Sequence, residues 1–170
     1  MTERSSDRWR VCTTHDASEC SEKDVILNSI KTKALDLLAR REHSRQELRR
    51  KLQRRFDDLD LIEIALNQLS ESDYLSESRF VEAYIRFRAN KGFGPAHIRQ
   101  SLLQRGINRD LIEQFLFSSP DIDWRERAHD VQVKKYGKKP PATFAAHMKQ
   151  IQFLRYRGFE NVARIQQEEE

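Results

Sequence analysis

The chain has 170 residues, room for one ordinary domain or a short array of small units and too few for a large multidomain enzyme. With 34% charged and 38% hydrophobic residues and a net charge of +4, it is charge-rich and core-poor, and its positive excess favours polyanionic partners only weakly. Five glycines and four prolines supply few turns, which argues against a sandwich or barrel of many short strands and for long helices.

Residues 1–23 are mainly polar, hold little beyond Trp9 and Val11 as large apolar side chains, and are read as a mobile tail. From Val25 onward the apolar positions fall at helical spacing. Ile26, Ile30, Ala34, Leu37 and Leu38 mark one face of a first helix over 24–41. Ser44 and Glu47 have the spacing of a capping box that starts a second helix, 45–56, with Leu48, Leu52 and Phe56 as its stripe. Asp58 is the next N-cap candidate, ahead of a third helix over 59–71 carrying Leu61, Ile62, Ala65, Leu66 and Leu69.

A gapless shift of 50 residues repeats these landmarks. Ser44 and Arg45 fall on Gly94 and Pro95, an N-cap followed by a first-turn proline. Leu48, Arg49, Leu52 and Arg55 fall on Ile98, Arg99, Leu102 and Arg105, Asp58 on Asn108, and Leu61, Ile62 and Leu66 on Leu111, Ile112 and Leu116. A looser third copy follows, in which Arg157-Gly158-Phe159 lies 52 residues after Arg105-Gly106-Ile107. Its first helix is expected from Asp123 with Trp124, Ala128 and Val131 inward, and its second after Pro140-Pro141 with Phe144, Met148 and Ile151 inward. A short last helix is expected near Val162 and Ile165. The resulting organisation is a tail (1–23), three-helix units over 24–75, 76–120 and 121–167, and an acidic end (168–170). Units this small and this polar need stacking to bury enough surface.

Charge is segregated along the array. Residues 40–55 carry eight basic against two acidic side chains; residues 56–78 carry seven acidic and no basic ones. Residues 79–106 hold six basic against one acidic, and 131–158 seven basic with no acidic. Such blocks either line a surface for a polyanion or an acidic protein face, or are solvated helix faces that pair with the acidic blocks. Phe80, Tyr84 and Phe87 have core spacing, which favours core packing over base stacking, while Phe93, between Gly92 and Gly94, is either a cap contact or an exposed docking residue.

Catalytic patterns are weak. The five histidines are scattered, with no HExxH or CxxC motif, and Gly92 and Gly94 lack the rest of a phosphate-cradling loop. Cys12, His15 and Cys20 form at most a weak metal-site candidate, and the two cysteines make no disulfide framework. The sequence shows neither a membrane-length apolar run nor the apolar centre of a signal peptide, so a cytoplasmic protein is expected, with no cofactor and no enzymatic activity.

Three stretches together resemble the RecX family of regulators of the bacterial recombinase RecA: Arg40-Arg41-Glu42-His43-Ser44-Arg45-Gln46-Glu47-Leu48, Asp73-Tyr74-Leu75-Ser76-Glu77-Ser78-Arg79-Phe80-Val81-Glu82-Ala83-Tyr84, and Lys91-Gly92-Phe93-Gly94-Pro95 followed by Ile98 and Leu102. Phe153-Leu154-Arg155-Tyr156-Arg157-Gly158-Phe159 is similar to the family's last-repeat signature, and the likeness runs over about residues 26–166. The resemblance implies an all-α fold of three tandem three-helix repeats in an elongated, curved array. It also implies a monomer that binds in the groove of the RecA filament on single-stranded DNA, limiting its extension, ATP hydrolysis and strand exchange, with direct DNA contact in some members. On that reading Arg40, Arg41, Arg45, Arg49, Arg88, Lys91, Arg99 and Arg105 face acidic protein surface or phosphate. Lys134, Lys135, Lys138, Lys139, Arg155 and Arg157 engage the far side of the groove, and Asp57, Asp58 and Asp60 meet basic loops of the recombinase. The alternatives are a stand-alone helical DNA-binding protein and a helical protein-binding scaffold.

Overall fold

Helix starts follow the capping residues closely. The structure, a computed structural model, describes residues 14–118 and 122–160, with side chains from 22 to 117 and from 122 onward. Among the described residues there are eight helices: α1 (Thr14–Leu38), α2 (Arg45–Leu52), α3 (Leu59–Glu71), α4 (Glu77–Asn90), α5 (Pro95–Leu103), α6 (Arg109–Ser118), α7 (Trp124–Tyr136) and α8 (Phe144–Arg157). Ser44, Asp58, Ser76, Asp123 and Thr143 each accept a backbone amide hydrogen bond one turn ahead. Gly94 lacks a side chain to do so and is followed instead by Pro95 at the first helical position, whose missing N–H leaves one donor fewer to satisfy. Asn108 Oδ1 accepts from the Asp110 amide at 2.7 Å.

Several expectations are corrected. The first helix begins at Thr14 rather than near residue 24, since no glycine or proline interrupts 14–38, so residues 14–23 are helical; the rest of the expected tail lies outside the described residues. The second helix ends at Leu52, and Phe56, beyond its end, packs half-buried against the first core. Only half of the capping box forms: Ser44 accepts the Glu47 amide at 3.1 Å, while the Glu47 carboxylate turns to Arg41, His43 and Arg105. Ile26, Phe87 and Phe144, expected inward, are 41%, 53% and 70% exposed. Each sits near an end of its stripe, where no neighbouring helix among the described residues covers it. The expected helix near Val162 and Ile165 and the acidic end lie outside the described residues.

The apolar interior divides into three clusters in series. The first gathers Ile30, Ala34, Leu48, Leu52, Ile62, Ala65 and Leu66 from α1–α3. The second joins Phe80, Val81, Ile85, Ile98, Leu102, Ile107, Ile112 and Leu116 from α4–α6 and the turn after α5. The third is small, with Ala128, Ile151, Leu154 and Phe159. Trp124 packs against both the second and third clusters and donates its indole N–H to the Leu116 carbonyl at 3.4 Å. Three tandem helical units on separate cores make an elongated all-α array in which the joints between units decide geometry.

Candidate functional site

The loop ahead of the second helix of one unit receives the end of the second helix of the next. At the first junction the Ser44 hydroxyl donates to the Arg105 carbonyl at 3.2 Å. At the second the Gly94 amide donates to the Arg157 carbonyl at 2.8 Å, and the Ala96 amide to the Gly158 carbonyl at 3.2 Å. Ser44 and Gly94 are equivalent positions of the repeat, as are Arg105 and Arg157, so both joints use the same carbonyl. Gly158 (φ +90°) turns the chain back into that joint, and a Cβ there would lie 2.5 Å from the His97 backbone nitrogen.

Side chains reinforce the first junction. Glu47 sits between Arg41 and Arg105, each 3.0 Å away, and Nδ1 of the buried His43 lies 3.2 Å from the same carboxylate. Burial pushes the Glu47 carboxyl up, but hydrogen bonds and charge from Arg41, then from Arg105 and His43, more than offset it and hold the group below the usual carboxylate range. Burial, followed by the charges of Arg41 and Lys51, lowers the His43 pKa despite its contact with Glu47. Arg79 bonds Glu42 at 3.0 Å and Asp73 at 2.8 Å, tying α4 to the loop before α2. Beside these charges a hollow of about 480 Å³ is floored by Phe80, Tyr84 and Phe87, with the Arg105 guanidinium 4.8 Å from the Tyr84 ring centre.

The second junction is organised around Phe93. The Arg88 guanidinium lies 4.0 Å and that of Arg157 5.0 Å from the ring centre, and the His97 ring stacks on it at 4.4 Å. Phe93 is therefore a half-buried wedge rather than an exposed docking residue. Arg88 Nη2 is 2.8 Å from His97 Nε2, and because a guanidinium only donates, that nitrogen accepts and the ring is neutral. Burial first, then the charges of Arg88 and Arg157, lower the His97 pKa accordingly.

Apart from Arg88, held by His97 and Phe93, and Arg155, the basic residues expected to form a docking surface divide into two groups. Arg45 and Arg49 both bond Glu63, at 2.9 and 2.5 Å; one repeat later Arg99 takes Glu113 in a two-point contact at 2.5 and 3.0 Å. Hydrogen bonds and charge from these arginines, Arg49 and Arg99 foremost, hold Glu63 and Glu113 below the usual carboxylate range. With Arg41 and Arg105 on Glu47, these arginines knit helices together. The other group is free of carboxylates among the described residues: exposed Arg40, Lys134, Lys138 and Lys139, and Lys91, Lys135 and Arg157 over aromatic rings. Arg155 is exposed on α8. Asp58 caps α3, whereas Asp57 and Asp60 are exposed beside it.

The structure adds two residues that the charge blocks did not single out. Arg79 is a structural tie, and Arg127, outside the counted blocks, lines a cleft at the second junction with Lys91, Lys134 and Arg157. Helical periodicity from Val131 back to Ala128 was the available signal for Arg127. Among the described residues no three His, Cys, Asp or Glu side chains are grouped to hold a metal ion, and no helix is long and apolar enough to cross a membrane. Cys12 and the side chains of His15 and Cys20 lie outside the described residues.

Comparisons with known proteins match this three-unit layout. The models described as RecX first, second and third three-helix domains match residues 31–69, 76–116 and 121–161. "Regulatory protein RecX" of Pseudomonas putida (strain GB-1) is 48% identical over 131 residues, covering 77% of this chain and 83% of the relative. The protein of the same name from Pseudomonas syringae pv. tomato (strain ATCC BAA-871 / DC3000) is 43% identical over 131 residues, with 77% and 84% covered. A crystal structure of RecX from Lactobacillus salivarius shares the fold with a TM-score of 0.70 at 22% identity, over 84% of this chain and 95% of that one. A second, described as a crystal structure of regulatory protein RecX, has a TM-score of 0.74 at 21% identity, over 94% of this chain and 80% of the other. With all three domain models in order on its three helical units, the chain belongs to the RecX family of regulatory proteins.

Proposed function

We propose that this protein regulates the RecA recombinase by lying in the helical groove of its filament on single-stranded DNA, where it limits filament extension, ATP hydrolysis and strand exchange. It acts by binding, as a cytoplasmic monomer without cofactor or turnover, in DNA repair, recombination and the SOS response. Membership in a family of regulatory proteins, with all three units present, carries the reading. Its chemistry suits the role: an elongated array with cations such as Lys134, Lys138 and Lys139 that have no carboxylate partner among the described residues, and acidic groups at Asp57 and Asp60 on the first unit, offers opposite charge to two kinds of surface.

Among the cations, the contacts are those with no carboxylate partner among the described residues and not engaged by His97 as Arg88 is: Arg40, Lys91, Lys134, Lys135, Lys138, Lys139 and Arg157. Adding the protein to preformed RecA filaments on single-stranded DNA and following ATP hydrolysis tests the assignment. A progressive loss at substoichiometric amounts supports blocked growth; unchanged hydrolysis at excess would reject the reading in favour of a stand-alone DNA-binding protein.

A further inference from the structure

Phe80, Ala83, Tyr84 and Phe87 fall at i, i+3, i+4 and i+7 on one face of α4. The stripe runs out of the core: Phe80 is 2% exposed, Tyr84 is half-buried and Phe87 is 53% exposed. A helix that only served its own unit would end its apolar stripe where its cover ends, whereas this one continues as the floor of the 480 Å³ hollow at the first junction. The facing wall belongs to the first unit, with Arg41, Glu42 and Glu47, and Arg105 stands beside it. Because the pairs Glu47–Arg105 and Glu42–Arg79 tie the two units together at 3.0 Å each, the hollow is formed before anything enters it.

The polar atoms of the rim are unevenly committed. Both carboxylate oxygens of Glu47 are taken, one by Arg105 and the other by Arg41 and His43, and Glu42 holds Arg79. Arg41 spends Nη1 and Arg105 spends Nε and Nη1, so Nη2 of each has no acceptor among the described residues. The hollow thus offers an apolar floor and spare hydrogen-bond donors, with its acceptors already used. Its complement is an apolar side chain next to a carboxylate. Arg105 lies 4.8 Å from the Tyr84 ring centre and Lys91 4.5 Å from that of Phe87, so both rings already carry a cation, which favours an inserted side chain over a stacked nucleobase.

We propose that this hollow is the docking socket for a protein partner, in which an apolar side chain of the partner seats on Phe80, Tyr84 and Phe87 while a neighbouring carboxylate accepts from Arg41 and Arg105. An apolar anchor in a preformed pocket with a polar rim is where interfaces concentrate their affinity, and it is a contact that the charge blocks do not describe. The occupant bridges both units and so reads the geometry of the first junction. The proposal rests on the recombinase reading for the identity of the partner, but the socket is tested without it.

The socket is probed by titrating N-acetyl-phenylalaninate into the isotope-labelled full chain and following backbone amide shifts. Saturable shifts should centre on residues 80–87 and 41–47, and uncharged N-acetyl-phenylalaninamide should bind about threefold more weakly. Ala83→Gln, which fills the hollow from an exposed helical position, should abolish the shifts. No shifts at these amides, shifts that Ala83→Gln leaves unchanged, or tighter binding of thymidine monophosphate at the same amides would overturn the proposal. On preformed RecA filaments, Ala83→Gln and Phe87→Ser should each raise the concentration for half-inhibition of ATP hydrolysis about tenfold. Phe117→Ser, 66% exposed and outside the hollow, should leave it within about twofold. If Phe87→Ser loses its helical circular dichroism, Ala83→Gln decides alone, and parent-like inhibition by that variant would reject the hollow as the docking site. A parent that binds the acetylated amino acid yet leaves filament hydrolysis unchanged would uphold the socket and reject the recombinase reading.

Discussion

The backbone amide of Gly94 donates a 2.8 Å hydrogen bond to the carbonyl of Arg157, the carbonyl that its repeat counterpart Arg105 offers to the Ser44 hydroxyl one junction earlier. Replacing a serine hydroxyl by a glycine amide as the donor draws the two backbones together. A Cβ on Gly94 would overlap the carbonyl of Gly158, and one on Gly92 would lie 2.8 Å from Val131.

Gly94→Ala is therefore a steric test of the second junction, because its φ of −86° is open to any residue. It should destabilise the chain by about 1–3 kcal/mol, the usual cost of overpacking, and loosen the third unit before the first. Urea unfolding gives the magnitude and amide exchange along α8 the location. Parent-like exchange in α8 would show that the close approach does not hold the third unit.

Glu47→Gln addresses the first junction. The native carboxylate serves Arg41, Arg105 and His43, so its loss should cost about 1–2 kcal/mol, reduced from a fully buried case by partial exposure. Its pKa is lower folded than unfolded, so its contribution is complete above the unfolded value and disappears as pH falls through the folded one. The stability gap between parent and variant, measured by urea titration from pH 7 to pH 3, should close on the acid side.

His43 and His97 shift the same dependence to milder pH. Both have pKa values depressed by burial first and by neighbouring cations second, so the unfolded chain binds protons that the folded chain refuses. Stability is complete above the ordinary histidine pKa and falls as pH drops below it towards the folded values. The double variant His43→Gln, His97→Gln should flatten the decline between pH 7 and pH 5 in thermal melts; an identical decline would assign it to other groups.

Arg49–Glu63 and Arg99–Glu113 are the same ion pair one repeat apart. Both are partly exposed, so double-mutant cycles should return coupling of about 0.5–1 kcal/mol in each unit. On the proposed function, Arg49→Ala and Arg99→Ala should reduce stability by similar amounts while inhibition of strand exchange stays within about twofold, whereas Lys134→Glu with Lys138→Glu should do the reverse. Loss of inhibition in the arginine variants at parent stability would return them to the interface.

Local rules made much of the fold legible. Ser44, Asp58 and Asp123 cap helices within reach of their own backbone, and Ile30, Leu48, Leu52, Ile62, Ile98, Leu102 and Ile112 are buried where helical periodicity placed them. Phe87 and Phe144 mark the limit, since periodicity identifies a face but not how far along it the next helix extends.

By itself the sequence determined the helical class, the 50-residue repeat, the segregation of charge and the family resemblance, because caps, stripes and repeats depend on residues near in the chain. Which arginines are ties and which stay open was decided only in three dimensions. Arg99 and Glu113 are 14 residues apart and Arg105 and Glu47 are 58 apart, distances that only the packing of α5 on α6 and of one unit on the next brings to contact. The same packing sets Glu47 against Arg105 at the first junction and its repeat counterpart His97 against Arg88 at the second, one of several exchanges that separate a neutralised joint from a cationic cleft.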